Sequence, residues 1–126
     1  MAKRRILIVD DEADIRAVAQ LSLEINTEWE VLTASSGAEG LKVALKERPD
    51  AILLDVMMPD LDGPTTWAKL RENPITQAIP VIFLTAKVQA AEQRRYAQLG
   101  VKAVLTKPFD PVQLGDRIME ALGWEA

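Results

Sequence analysis

The sequence predicts a doubly wound α/β fold, in which five parallel strands form one sheet with helices on both faces. Five short runs rich in Val, Ile and Leu lack polar alternation, which is typical of strands that are buried on both sides. Segments with apolar residues three or four positions apart follow these runs and predict five helices. A repeated strand–helix alternation favours a single doubly wound sheet. The predicted strands are 6–9, 31–34, 51–57, 81–84 and 101–105.

Each helix is predicted from the spacing of its apolar residues, and most have a boundary signal. Ser36 can cap the second helix, and the Asp-Gly-Pro turn at 62–64 places Pro at an early position of the third. Gly100 can end the fourth helix, and Asp-Pro at 110–111 can start the fifth. In chain order, the positions with helical spacing are Ile15, Val18, Ser22 and Ile25; Leu41, Ala44 and Leu45; Trp67 and Leu70; Ala91, Tyr96 and Leu99; and Leu114, Ile118 and Leu122.

The composition is that of one ordinary globular domain. A chain of 126 residues has room for one core, and 48% hydrophobic with 27% charged residues excludes a disordered or fibrous protein. The formal net charge of −4 argues against a nucleic-acid-binding module, which concentrates Lys and Arg on one face. The first apolar run is too short for a signal peptide or a membrane span. We expect a single cytoplasmic domain over 1–126, with no membrane insertion and no direct nucleic-acid binding.

The chain contains neither cysteine nor histidine. The absence of cysteine excludes disulfides, thiolate catalysis and Cys-ligated zinc. The absence of histidine excludes imidazole as a general base, a metal ligand or a phosphoryl carrier within this chain. Any phosphohistidine in its chemistry must therefore belong to a partner.

Polar side chains stand at the ends of four predicted strands. Asp10 and Asp11 follow the first strand, Asp55 lies in the third, Thr85 follows the fourth and Lys107 follows the fifth. In sheets of this kind, ligands bind outside the carboxyl ends of the strands. We therefore expect these side chains to converge on one edge of the sheet.

Each of these residues also has a purely structural interpretation. An Asp pair before a helix is often an N-cap with a dipole-favoured acid, Thr85 is a typical strand or cap residue, and Lys107 alone is a typical surface lysine. Asp55 differs, because a carboxylate inside an apolar run is expensive to bury unless it is paired, bound to a cation or functional. The combination therefore favours a functional site.

Clustered carboxylates need a counter-charge. Two carboxylates about 4 Å apart repel by roughly 4 kcal/mol at an effective dielectric of about 20. Carboxylate oxygens without imidazole or thiolate select a hard cation, and Mg2+ suits a site with few carboxylates and a phosphoryl oxygen. Asp55 would then act as the nucleophile of phosphoryl transfer, with Thr85 and Lys107 on the phosphoryl oxygens. We expect its carboxylate to be ionised at neutral pH and to need no general base.

At these residues the chain resembles the receiver domains of two-component response regulators, over essentially its whole length. The resemblance implies that Asp55 is the phosphoacceptor, and that Asp10, Asp11, Asp55 and the backbone carbonyl of Met57 hold Mg2+. It assigns Thr85 as the switch hydroxyl and Lys107 as the phosphate-contacting lysine. The motifs are ILIVDDE at 6–12, LDVMMPDLDG at 54–63, FLTA at 83–86 and LTKPF at 105–109.

The resemblance further implies a flavodoxin-like strand order of 2-1-3-4-5 and a cis peptide at Lys107-Pro108. The partners it implies are a sensor histidine kinase or histidine phosphotransfer protein and a downstream protein bound at the α4-β5-α5 face. Such a domain is a signalling module that catalyses only its own phosphorylation and dephosphorylation. Val104 departs from the family, because many receivers carry a switching aromatic residue there.

Two other functions remain open at this point. The first is a Mg2+-dependent phosphohydrolase with an aspartate nucleophile, but such enzymes typically need an acid two positions after the nucleophile, where this chain has Met57. The second is an interaction scaffold that is not phosphorylated. The retention of all five pocket side chains argues against the scaffold.

Overall fold

A computed structural model of the chain describes residues 3–86 and 89–124 and contains the expected parallel sheet. Its five strands are ordered β2-β1-β3-β4-β5, and every neighbouring pair is parallel. The fold class and the strand order are therefore confirmed. The strands are β1 (Arg5–Val9), β2 (Glu30–Ala34), β3 (Ala51–Asp55), β4 (Val81–Thr85) and β5 (Ala103–Thr106).

Five helices cover the two faces of the sheet. Because successive side chains of a strand point to opposite faces, Ile6 and Ile8 pack with α1 and α5, whereas Leu7 and Val9 pack with α2, α3 and α4. Strands buried on both faces explain the lack of polar alternation in the sequence. The helices are α1 (Ala13–Asn26), α2 (Gly37–Glu47), α3 (Gly63–Glu72), α4 (Ala90–Gln98) and α5 (Leu114–Leu122).

The predicted boundaries of α2, α3 and α4 agree with the structure. Ser36 Oγ accepts a hydrogen bond from Glu39 N at 3.0 Å and caps α2. Asp62 caps α3 by accepting from Thr65 N at 2.7 Å. Gly100 follows the end of α4 with a φ of +104°, in the left-handed region that favours glycine.

Three other boundaries differ from the prediction by two residues or more. β3 ends at Asp55 rather than at 57, and β5 begins at Ala103 rather than at 101. The fifth helix begins at Leu114, because the Asp110 carboxylate accepts from Val112 N at 2.9 Å and forms a separate turn first. The short side chain of Asp competes well for nearby backbone donors and here delays the helix.

The predicted buried face of α1 was also partly wrong. Ser22 is buried as expected, but Val18 is exposed and Ile25 is 70% exposed. The helix instead packs through Ala19 and Leu23 against the sheet and α5. α1 carries two apolar stripes, and spacing alone does not show which one meets the sheet.

None of the helices in the described part of the chain is both long enough and apolar enough to cross a membrane.

Candidate functional site

The strand register brings the predicted site residues to one edge of the sheet. Val9 pairs with Leu54, so Asp10 and Asp55 both lie where their neighbouring strands end. Asp55 pairs with Leu84, one residue before Thr85, and Thr85 pairs with Thr106, one residue before Lys107. Parallel pairing of adjacent strands therefore brings residues that are far apart in sequence together in one cluster.

Asp10 is fully buried and does not cap α1. Its Oδ1 accepts from Glu12 N at 2.9 Å, while Glu12 occupies the N-cap without a side-chain hydrogen bond. The backbone carbonyl of Asp10 accepts from Arg16 Nη1 at 2.7 Å. Asp10 Oδ2 faces the interior of the site, so the structure favours the functional interpretation of this residue over the capping one.

Asp55 is 2% exposed at the end of β3. Its Oδ1 accepts from Met57 N at 3.3 Å. Its Oδ2 is buried and accepts no hydrogen bond from any residue that the structure describes. A buried carboxylate oxygen without a donor is costly, which identifies Oδ2 as the atom with capacity for a further ligand.

Lys107 connects the two buried carboxylates. Its Nζ lies 2.9 Å from Asp10 Oδ2, 3.3 Å from Asp55 Oδ1 and 3.7 Å from Glu12 Oε1. Its backbone N–H donates to the carbonyl of Thr85 at 2.9 Å, which fixes the end of β5 beside β4. The peptide bond between Lys107 and Pro108 is cis, as expected.

These contacts change the acidity of two groups. The pKa of Asp55 is raised to about 7: burial is the largest cause, the charge of Asp10 adds to it, and Lys107 and the N–H of Met57 oppose the rise. The pKa of Lys107 is also raised: burial alone would lower it, but the hydrogen bond to Asp10 and the charges of Asp55 and Asp10 outweigh burial. The expectation that Asp55 is fully ionised at neutral pH was therefore wrong for the metal-free protein.

The three predicted acidic ligands are close enough to share a cation. Asp10, Asp11 and Asp55 each offer a carboxylate oxygen, and these oxygens lie within 4.8 Å of one another. Lys107 supplies one positive charge to this group, and the free Oδ2 of Asp55 adds a buried acceptor. Oxygen donors of this kind fit a hard divalent cation such as Mg2+.

The remaining predicted residues lie where the sequence placed them. Thr85 is fully buried at the end of β4. Met57 follows β3, and its side chain is 57% exposed. Sequence reasoning missed the role of Arg16, which supports the backbone of Asp10, although its position one turn into α1 was a usable signal.

Comparison with known proteins agrees with this geometry. A family model described as "Response regulator receiver domain" matches residues 6–119. The chain is 40% identical over 119 residues to the alkaline phosphatase synthesis transcriptional regulatory protein PhoP of Bacillus subtilis, covering 94% of this chain and 48% of PhoP. It is 43% identical over 116 residues to the response regulator PleD of Caulobacter vibrioides, covering 90% of this chain and 25% of PleD.

A solved structure of similar size has the same fold. The chemotaxis protein CheY4 of Vibrio cholerae superposes with a TM-score of 0.87 at 30% identity, covering 95% of this chain and 99% of the CheY4 chain. The chain thus spans less than half of PhoP and PleD and nearly the whole of the CheY4 chain.

Proposed function

Because the chain belongs to the response regulator receiver domains of two-component systems, we propose that Asp55 accepts a phosphoryl group and that its phosphorylation changes the binding of a partner protein. The observation that carries this proposal is the buried Asp55 Oδ2, which has no donor among the described residues and lies at the edge of the sheet beside Asp10 and Lys107. The proposed unit is one receiver domain over 1–126.

The transfer itself needs little covalent machinery from the protein. Asp55 Oδ2 attacks the phosphorus of a partner's phosphohistidine, the new O–P bond forms as the P–N bond breaks, and the imidazole leaves with the electron pair and takes up a proton. Lys107 stays within reach of the phosphoryl oxygens because Asp10 holds its ammonium at 2.9 Å. Thr85 would donate its hydroxyl proton to a phosphoryl oxygen.

A divalent cation fits this chemistry. Mg2+ bound by Asp10, Asp11, Asp55 and the carbonyl of Met57 would supply positive charge beside the transferring group. Its charge would also favour the ionised form of Asp55, whose pKa is about 7 without metal. The clustered carboxylate oxygens of Asp10, Asp11 and Asp55 support this role, and the Met57 carbonyl is added from the resemblance to receiver domains.

The phosphoryl donor is a sensor histidine kinase or a histidine phosphotransfer protein. The chain itself contains no histidine, so the phosphohistidine belongs to the donor. As a signalling module, the chain would catalyse only its own phosphorylation and dephosphorylation. The position two residues after Asp55, where a phosphohydrolase would carry an acid, holds Met57.

The surface formed by α4, β5 and α5 would contact the downstream target. On it, Val104 is half-buried and opens into a groove of about 320 Å³ that Phe109, Gln113 and Arg117 also line. We propose that the downstream target binds in this groove.

Phosphorylation by a small phosphodonor tests the proposal directly. The protein is incubated with acetyl phosphate, with and without Mg2+, and intact mass is measured for wild type, Asp55→Asn and the control Asp14→Asn. We expect one added phosphoryl group in wild type and Asp14→Asn only with Mg2+, and none in Asp55→Asn. Addition in Asp55→Asn would exclude Asp55 as the acceptor, and rapid turnover of phosphate esters would indicate an enzyme.

A further inference from the structure

The loop between β3 and α3 carries Met57, and hydrogen bonds hold this loop at two places in addition to the buried side chain of Met58. At its base, Gly63 N donates to the carbonyl of Val56 at 2.8 Å, closing the loop beside Asp55. At its outer part, the carboxylate of Asp60 reaches across to a different element, the start of α2. Met57 lies between these two attachments.

Asp60 accepts two backbone hydrogen bonds from the first turn of α2. Its Oδ1 lies 3.1 Å from Gly37 N, and its Oδ2 lies 3.0 Å from Ala38 N. The pKa of Asp60 lies below its usual value, because its carboxylate accepts from the backbone N–H groups of Ala38, Leu61 and Gly37, of which Ala38 has the largest effect. The side chain is therefore an ionised link between two loops on the carboxyl edge of the sheet.

The contact is too close to be incidental. A Cβ placed on Gly37 would lie 2.7 Å from both Leu61 Cβ and Thr66 Oγ1, so the start of α2 lies directly against the loop. α2 also has a cap of its own, since Ser36 Oγ accepts from Glu39 N. Asp60 therefore adds a cross-link to a helix that is already capped.

Few other contacts orient Met57. Its N–H donates to Asp55 Oδ1 at the long distance of 3.3 Å, and its side chain is mostly exposed. The direction of its carbonyl thus depends on its neighbours in the loop: Val56 and Met58 are buried in the core, and Asp60 bonds the outer part of the loop to α2. An outer residue that fixes a metal ligand in this way commonly changes metal affinity when it is mutated.

We propose that Asp60 is a positioning residue for the metal site: by bonding the β3–α3 loop to the start of α2, it holds the Met57 carbonyl in the direction needed for metal binding. This inference rests on the proposed function, because it assumes that Met57 ligates Mg2+. Loss of the Asp60 side chain should weaken Mg2+ binding about tenfold, the lower end of the range typical of outer-sphere residues.

The test measures Mg2+ affinity separately from phosphorylation. The Kd for Mg2+ is taken from the backbone amide shifts of residues 55–58 in NMR titrations of the whole chain. Ser36→Ala is the matched control, because it removes a hydrogen bond from the same first turn of α2 without touching the β3–α3 loop. Asp60→Asn, which keeps one acceptor oxygen, provides a milder variant if Asp60→Ala folds poorly.

We expect Kd to rise about tenfold in Asp60→Ala, less in Asp60→Asn, and not at all in Ser36→Ala. Equal affinities in wild type and Asp60→Ala would overturn the inference, as would an equal loss in Ser36→Ala, which would assign the effect to α2 stability. In both cases Mg2+-dependent phosphorylation of wild-type Asp55 would leave the proposed function intact. A wild type that binds no Mg2+ would overturn the metal site itself.

Discussion

Lys107 Nζ lies 3.3 Å from Asp55 Oδ1, but this ion pair does not offset burial and the charge of Asp10, which together raise the pKa of Asp55 to about 7. The pairing is incomplete because the same ammonium is closer to Asp10 Oδ2, at 2.9 Å. One lysine thus serves two buried carboxylates, and burial outweighs its attraction for Asp55. The two buried carboxylates therefore destabilise the metal-free fold, and a bound cation would supply the positive charge that they lack.

Asp55→Asn should stabilise the metal-free protein above pH 7. The folded-state pKa of about 7 exceeds the ordinary value of 3.8, so the native state holds more protons than the unfolded state between pH 4 and pH 7. The free energy of unfolding therefore falls as pH rises through that window. The raised pKa of Lys107 lies above this window and adds no slope within it. We expect a gain of roughly 1 to 4 kcal/mol at pH 8.

Urea unfolding in EDTA at pH 5 and pH 8 measures this effect. Asp14→Asn, on the exposed side of α1, is the control and should follow wild type at both pH values. The variant Asp55→Asn should lose most of the fall in stability between the two pH values. If its stability kept the wild-type pH dependence, another group would be responsible for the slope.

Lys107→Met should destabilise the fold more at pH 8 than at pH 5. The substitution removes the ammonium that lies 2.9 Å from Asp10 Oδ2 and leaves two carboxylates buried without it. At pH 8 we expect a loss of roughly 2 to 4 kcal/mol, whereas at pH 5 protonation of Asp55 relieves part of the repulsion. Unfolding curves at both pH values check this, with the exposed Lys102→Met as control. Equal losses at both pH values would contradict the electrostatic cause.

The convergence of Asp10, Asp55 and Lys107 was predictable because it depends on topology alone. In a parallel sheet, every strand delivers its last residue to the same edge, so a polar residue after an apolar run has a known position before any contact is known. Each apolar run was identified as a buried strand from its content of Val, Ile and Leu. For the same reason, Thr85 and Met57 lie where they were expected.

The contacts of Asp60 and the buried face of α1 were not predictable in this way. Asp60 bonds to Gly37 across 23 positions of the chain, and no local pattern reports a contact between two loops. On α1, the apolar side chains of Leu21 and Ile25 face outward while the small Ala19 packs inward. Leu23 packs inward beside Ala19, so the surface of the sheet and α5 decides which apolar stripe of α1 is buried, and the sequence of α1 alone does not contain that surface.

Mg2+ should raise the stability of the wild type and reduce the advantage of Asp55→Asn. Binding to the native state alone stabilises it by RT ln(1 + [L]/Kd), about 1.4 kcal/mol when free Mg2+ is about ten times Kd. The carboxylates of Asp10, Asp11 and Asp55 supply the oxygens, so removal of one should weaken the effect. Thermal unfolding at pH 8 with added Mg2+, then with excess EDTA, measures it. An equal stabilisation of Asp55→Asn would exclude Asp55 as a ligand.

Val104→Phe should change the free energy of unfolding by less than about 1 kcal/mol, because the groove beside Val104 is open. Val104 pairs in register with Phe83, is only partly buried against the core cluster that contains Phe83, and lines an open groove of about 320 Å³. Val101→Phe is the matched control: Val101 is buried in the same core cluster, so the same enlargement should cost roughly 1 to 3 kcal/mol. Urea unfolding of both variants decides the point. If Val104→Phe costs as much as Val101→Phe, the groove is closed in solution and is not available to a target.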